Sequence, residues 1–197
     1  MVVIVHGYDG SGPGHWQRWL DEELRIRGVA VEFPELPDPQ SPECDVWVAQ
    51  LHTIVSNATV PVLFVAHSLG CWAVDHLLAR YGATGIDAAL LVAPPSPHLL
   101  FEPVQSFFPA PQSPVAWAPI AERSLLVTSD DDPYIEATEA AAIGQRIGVP
   151  VHVLAGAGHI NVESGFGPWP FALQWVLRAF SAIQPRRADR EKPCVGR

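Results

Sequence analysis

The segment Val62-Leu63-Phe64-Val65-Ala66-His67-Ser68-Leu69-Gly70-Cys71 constrains this chain more than any other. The unbroken apolar run over 62–66 reads as a strand covered on both faces. Immediately beyond it the period changes, and Val74, Leu77, Leu78 and Tyr81 form one stripe of a helix expected over 69–81. The turn between the two is sharp, and Ser68 stands at its apex. Gly70 lets the helix start close under that turn, because it brings no Cβ into the contact. A strand that feeds directly into a helix is the opening of a crossover unit in a parallel sheet.

The rest of the chain repeats this alternation. Strands are expected at Val2–Val5, Val29–Phe33, Val62–Ala66, Ile86–Val92, Leu125–Thr128 and Val151–Leu154. Helices are expected over 15–27, 42–57, 69–81, 134–147 and 169–183, the second with Ser41 as N-cap and Pro42 in its first position. The pattern predicts an α/β fold: a doubly wound, mostly parallel sheet of about six strands with helices on both faces and right-handed crossovers. At 197 residues the chain suffices for one core, expected as a single domain over 1–183. Residues 94–119 interrupt the rhythm. They are proline-rich, carry Phe101, Phe107, Phe108 and Trp117, and are expected to form a lid or binding loop.

Charge and cysteine usage exclude several function classes. The net charge of −9 argues against nucleic-acid binding. Arg186, Arg187, Arg190, Lys192 and Arg197 oppose Asp189 and Glu191 over 184–197, a basic tail expected to be flexible and solvated. Cys44, Cys71 and Cys194 form no framework and are expected to stay reduced. No zinc spacing occurs, so no metal or other cofactor is expected. Without a leader-like start or an apolar run of about 20 residues, a soluble cytoplasmic protein is expected.

The chemistry follows from three residues in order. A serine hydroxyl attacks only when a base takes its proton, and the base needs a third group to hold its tautomer. Beyond the fifth strand lies Asp130-Asp131-Asp132-Pro133-Tyr134, and beyond the sixth lies Gly156-Ala157-Gly158-His159-Ile160-Asn161. Both fall at the carboxyl edge of the sheet, as Ser68 does, where open α/β sheets place their sites. Ser68, Asp132 and His159 are therefore the candidate nucleophile, acid and base. Asp130 and Asp131 are read as solvated or capping residues.

An oxyanion formed at Ser68 would be met by the backbone N–H of Leu69 and by one from the loop His6-Gly7-Tyr8-Asp9-Gly10, with Tyr8 the better choice. His67, Phe107, Phe108 and Trp117 are the candidate substrate contacts. Asn161 and Ser164 would brace the loop of His159, while His15 and Trp16 would open and pack the first helix. The Gly10-x-Gly12-x-Gly14 run, with Glu32 at the end of the next strand, has the outline of a dinucleotide site. Its spacing is wrong, however, and Pro13 lacks an amide that a phosphate would need.

These stretches resemble the small α/β-hydrolases named after a retinoblastoma-binding protein, together with bacterial YdeN-type relatives. The matching residues are the opening Val-Ile-Val-His-Gly, Gly12-Pro13-Gly14-His15-Trp16, Ala66 through Cys71, Ser129 through Tyr134, and Gly158-His159-Ile160-Asn161 running into Ser164-Gly165-Phe166-Gly167-Pro168-Trp169-Pro170. The resemblance implies a compact α/β-hydrolase fold without the first two strands of larger members, with Ser68, Asp132 and His159 as the triad. Ala66 departs from G-x-S-x-G, and alanine is small enough to keep the helix close. The implied partner is a small-molecule ester or peptide. The alternative is a protein-interaction module on a hydrolase scaffold with little turnover.

Overall fold

A computed structural model describes residues 1–183; the basic tail over 184–197 lies outside the described residues. In chain order the elements are β1 (Val2–Val5), α1 (Trp16–Ile26), β2 (Val31–Glu32), α2 (Cys44–Asn57), β3 (Val62–His67), α3 (Leu69–Tyr81), β4 (Ile86–Val92), α4 (Pro114–Trp117), β5 (Leu125–Ser129), α5 (Ala137–Ile147), β6 (Val151–Leu154) and α6 (Pro170–Ile183). The six strands form one sheet in the order β2-β1-β3-β4-β5-β6, and every pairing is parallel.

Strand side chains alternate between the two faces, which is why the apolar runs are continuous. Val3, Val5, Phe64, Ala66, Leu91 and Leu126 point to one face and pack with Trp47, Val48 and Leu51 of α2, Leu77 of α3 and Ile143 of α5. Val2, Ile4, Leu63, Val65, Leu90 and Val127 point to the other and pack with Trp16, Leu20 and Leu24 of α1 and Leu173 and Val176 of α6. The order reverses between β1 and β3, so the crevice at their carboxyl ends is the topological switch point.

Three element ends differ from the sequence reading by more than one residue. β2 is two residues long, because Gly28 and Val29 turn back to close α1, their N–H groups donating to Arg25 O and Leu24 O. α2 starts at Cys44: the Cys44 N–H donates to the Ser106 hydroxyl, which itself donates to Pro42 O, so the cap comes from the insertion rather than from Ser41. α5 starts at Ala137 because Tyr134 is held by Asp132 and Ser96.

Segment 94–119 is fastened to the body. A short 3-10 turn over Glu102–Phe107 buries Val104 and Phe107, and α4 buries Trp117. The Phe107 ring stands edge-on to Trp47, and the Phe107 carbonyl accepts from His76 Nε2. Trp117 donates its indole N–H to Asp75 of α3 at 2.7 Å. No helix among the described residues is long and apolar enough to cross a membrane.

Candidate active site

Ser68 occupies the step from β3 into α3 with φ 52° and ψ −125°, a left-handed φ that a non-glycine residue adopts only when its surroundings enforce it. The enforcement is visible on both sides. Ser68 N–H donates to Val92 O at 2.9 Å. A Cβ on Gly70 would lie 2.6 Å from His6 O and 2.7 Å from Val5 O, so only glycine lets α3 start against the end of β1. A Cβ on Gly7 would lie 2.8 Å from Ser68 Cβ, which packs the loop after β1 directly against the serine.

His159 and Asp132 complete the cluster. His159 Nδ1 lies 2.9 Å and 3.1 Å from the two Asp132 carboxylate oxygens, which accept only, so Nδ1 carries the hydrogen. Nε2 is then the acceptor, and it lies 2.9 Å from Ser68 Oγ. The Asp132 side chain is wholly buried. Its Oδ1 also accepts the Tyr134 N–H at 2.9 Å, which fixes the carboxylate plane.

The neighbouring aspartates hold the histidine loop. Asp130 accepts the Gly156 N–H and Asp131 accepts the Gly158 N–H, both at 2.7 Å. The Ser129 hydroxyl and then the Gly158 amide hold the Asp131 carboxyl below the usual carboxylate range. On the far side of the loop Ser164 Oγ accepts the His159 N–H and is itself tied to Asn161. Gly158 has φ 52° and no room for a Cβ, which would meet Ser164 Oγ at 2.4 Å. No group of three or more metal-ligating side chains occurs among the described residues.

The serine hydrolase family profile matches residues 2–178. The chain belongs to the serine hydrolase family. It is 27% identical to YdeN of Bacillus subtilis over 191 residues, covering 92% of this chain and 96% of YdeN. The solved structure of the B. subtilis ydeN gene product superposes with a TM-score of 0.79 at 25% identity, covering 91% of this chain and 98% of that one. A YdeN-like protein from Pectobacterium atrosepticum superposes with a TM-score of 0.75 at 27% identity, covering 93% and 91%.

Behind the cluster, this serine hydrolase carries a buried polar layer that sequence reasoning only partly found. Gln17 is fully buried and donates to Val5 O and, more weakly, Val65 O, joining the carboxyl ends of β1 and β3, while its carbonyl accepts from Ser11. His6 Nε2 accepts the Leu36 N–H, so its Nδ1 donates to Gly7 O at 2.8 Å and steadies the loop against Ser68. Burial lowers the His6 pKa. Trp16 donates to Ile160 O at 2.9 Å and stands edge-on to Trp169. The two sequence stretches around His15-Trp16 and around His159 to Trp169, far apart in the chain, thus form one packing unit on one face of the sheet. The available signal was a buried-type Gln on the apolar stripe of α1.

Three of the four expected substrate contacts are buried. His67 is buried, and its Nε2–H donates to the main-chain carbonyl of His159 at 3.0 Å; it faces the back of the histidine loop, not the cleft. Phe107 and Trp117 have no exposed surface to offer a ligand, because each fills the core over α2 and α3. Phe108 is half-buried against the same core. The exposed rings beside the cluster are instead Tyr8, Phe101 and Tyr134. A separate cleft of about 480 Å³ runs between the loops after β1 and β2, lined by residues such as Arg18, Phe33 and Leu36, without reaching Ser68 or His159.

Proposed function

We propose that this serine hydrolase cleaves a carboxylic ester of a small molecule through an acyl-enzyme, with Ser68 as nucleophile, His159 as general base and acid, and Asp132 as the group that orients and stabilises the imidazolium. The observation that carries the reading is the unbroken chain from Ser68 Oγ to His159 Nε2 at 2.9 Å and from His159 Nδ1 to Asp132 at 2.9 Å.

Ser68 Oγ attacks the carbonyl carbon as its proton passes to His159 Nε2. The oxyanion is received by the backbone N–H groups of Leu69 and Tyr8. Leu69 opens α3, so its N–H has no intrahelical acceptor. In the loop after β1, Asp9 N–H donates to Pro39 O and Gly10 N–H donates to Gly7 O, while Tyr8 N–H has no protein acceptor among the described residues. Preplaced donors of this kind contribute about 10²–10³ in kcat each. Collapse of the intermediate sends the His159 proton to the departing alcohol oxygen. Water then repeats the sequence, its proton taken by His159, and releases the acid.

A fluorophosphonate probe tests the assignment. It should label the native protein and fail on Ser68→Ala, whose ester turnover should fall by about 10⁶. Labelling that survives in Ser68→Ala would overturn it. A protein that neither labels nor turns over any ester would instead favour a binding role on the same scaffold.

A further inference from the structure

Two exposed rings, Tyr8 and Tyr134, belong to segments that touch the Ser68–His159 pair, and a third, Phe101, packs on Tyr8. Tyr8 follows Gly7, which packs on Ser68 with its Cβ position 3.3 Å from Oγ. The Tyr8 ring meets the Phe101 ring edge-on, centroids 5.1 Å apart at 80°. On the histidine side, the Tyr134 ring stands edge-on to the His159 imidazole, centroids 4.6 Å apart. Tyr8, Phe101 and Tyr134 are 36%, 40% and 47% exposed. Single exposed apolar side chains need no explanation, but exposed rings that pack on the imidazole and on one another beside the serine loop mark a binding surface.

The two sides face different parts of an ester. His159 Nε2 must deliver its proton to the leaving oxygen, so the ring packed on His159 borders the alcohol. The carbonyl oxygen lies toward the Tyr8 amide, so the Tyr8–Phe101 pair borders the acyl group. Rings set edge to face form a corner with one open face and one open edge, and a flat ring satisfies both with its own face and edge. Phe101 is positioned for this by Gln105, whose side-chain amide donates to Leu99 O and Phe101 O. Arg18, Arg25, Arg27, Arg80 and Arg123 are engaged elsewhere, so none of them awaits a charged acyl chain at this corner.

We infer that the acyl group of the substrate carries an aromatic ring, seated in the corner formed by Tyr8 and Phe101. The inference rests on the ester-hydrolase reading. Methyl phenylacetate and methyl cyclohexylacetate test it, because they match in length and leaving group and differ in the flatness and π-face of the ring. The native enzyme should favour the aromatic ester by about three- to tenfold in kcat/KM, mainly through KM. Phe101→Leu, an exchange at a half-exposed position, should bring that ratio below about two. Tyr134→Leu should leave the acyl ratio in place and change the discrimination between benzyl and cyclohexylmethyl alcohols in the corresponding butyrates. A native ratio near one, or a ratio that Phe101→Leu leaves untouched, overturns the inference while leaving the hydrolase reading standing. If the fluorophosphonate probe fails to label the protein, the hydrolase reading is what has failed. The corner is then tested alone, by calorimetry of N-methylphenylacetamide against N-methylcyclohexylacetamide on Ser68→Ala, and equal affinities overturn it.

Discussion

His67 holds His159 from behind: its Nε2–H donates to the His159 carbonyl at 3.0 Å, and the two rings lie 5.1 Å apart. The bond fixes the main chain from which the base projects, and Trp16 and His15 pack edge-on against the His67 ring. His67→Leu keeps bulk but deletes the donor. It should lower kcat by about 10- to 100-fold with KM changed less than about threefold, since the loss is one of alignment. His67→Gln places an amide N–H at comparable reach and should recover most of the rate. Equal kcat in the Leu and Gln variants would show that the hydrogen bond is irrelevant to turnover.

Gly7 and Gly12 lie in the same loop but predict opposite outcomes. A Cβ at Gly7 meets Ser68 Cβ at 2.8 Å and His67 O at 3.2 Å, whereas a Cβ at Gly12 meets nothing within 4 Å. Gly7→Ala should displace either the oxyanion loop or the serine, cutting kcat by about 10²-fold and stability by about 1–3 kcal/mol. Gly12→Ala should change stability by less than about 0.5 kcal/mol. Stopped-flow ester hydrolysis and urea unfolding on the two proteins check both, and a fully active Gly7→Ala would contradict the packing.

Trp117 acts as a core donor. Asp75 is buried in α3, and burial raises its carboxyl pKa while the Trp117 and Gln112 N–H groups pull it back down. Trp117→Phe leaves Asp75 Oδ1 without that donor and should cost about 2–4 kcal/mol, from an unsatisfied buried acceptor plus lost volume. Urea unfolding measures the loss, and KM for short esters should move less than about twofold. A large rise in KM with unchanged stability would restore this ring to a substrate role.

How far the chain can be read in advance follows from how local each signal is. β1, β4 and α3 fall where periodicity puts them, because their neighbours in sequence decide their pattern. Ser68 and His159 are legible for the same reason, each in a short segment at the end of a strand. The start of α2 is not, because its cap is Ser106, far along the chain. The inward turn of Phe107 depends on Trp47 and His76, and that of Trp117 on Asp75, so a proline-rich aromatic stretch reads equally well as a lid. Among three adjacent aspartates, Asp132 is already the candidate acid from the sequence, and the fold adds that Asp130 and Asp131 tether Gly156 and Gly158 while Asp132 reaches the imidazole.

Acid should weaken the fold through its buried imidazoles, and His15 gives the measurable case. It caps α1, its Nδ1 accepting the Gln17 N–H, and its pKa falls from 6.5 to about 4. Burial is the main cause, followed by the neighbouring His159 and Arg18. His67 is held well below its ordinary value for the same first reason. Below about pH 6.5 the unfolded chain takes up a proton that the folded His15 refuses, so stability is complete above that pH and drains away as pH falls toward 4. The loss attributable to His15 is about 3 kcal/mol. His15→Asn keeps a good N-cap and removes the titration. Urea midpoints for the two proteins should lie close together near about pH 7.5 and diverge toward about pH 4.5, with the variant the more resistant. The His15 charge is itself among the causes that lower the His67 pKa, so removing it eases the His67 penalty as well and widens the divergence in the same direction. Parallel curves across this range would mean that His15 takes up its proton as readily in the folded protein as in the unfolded chain.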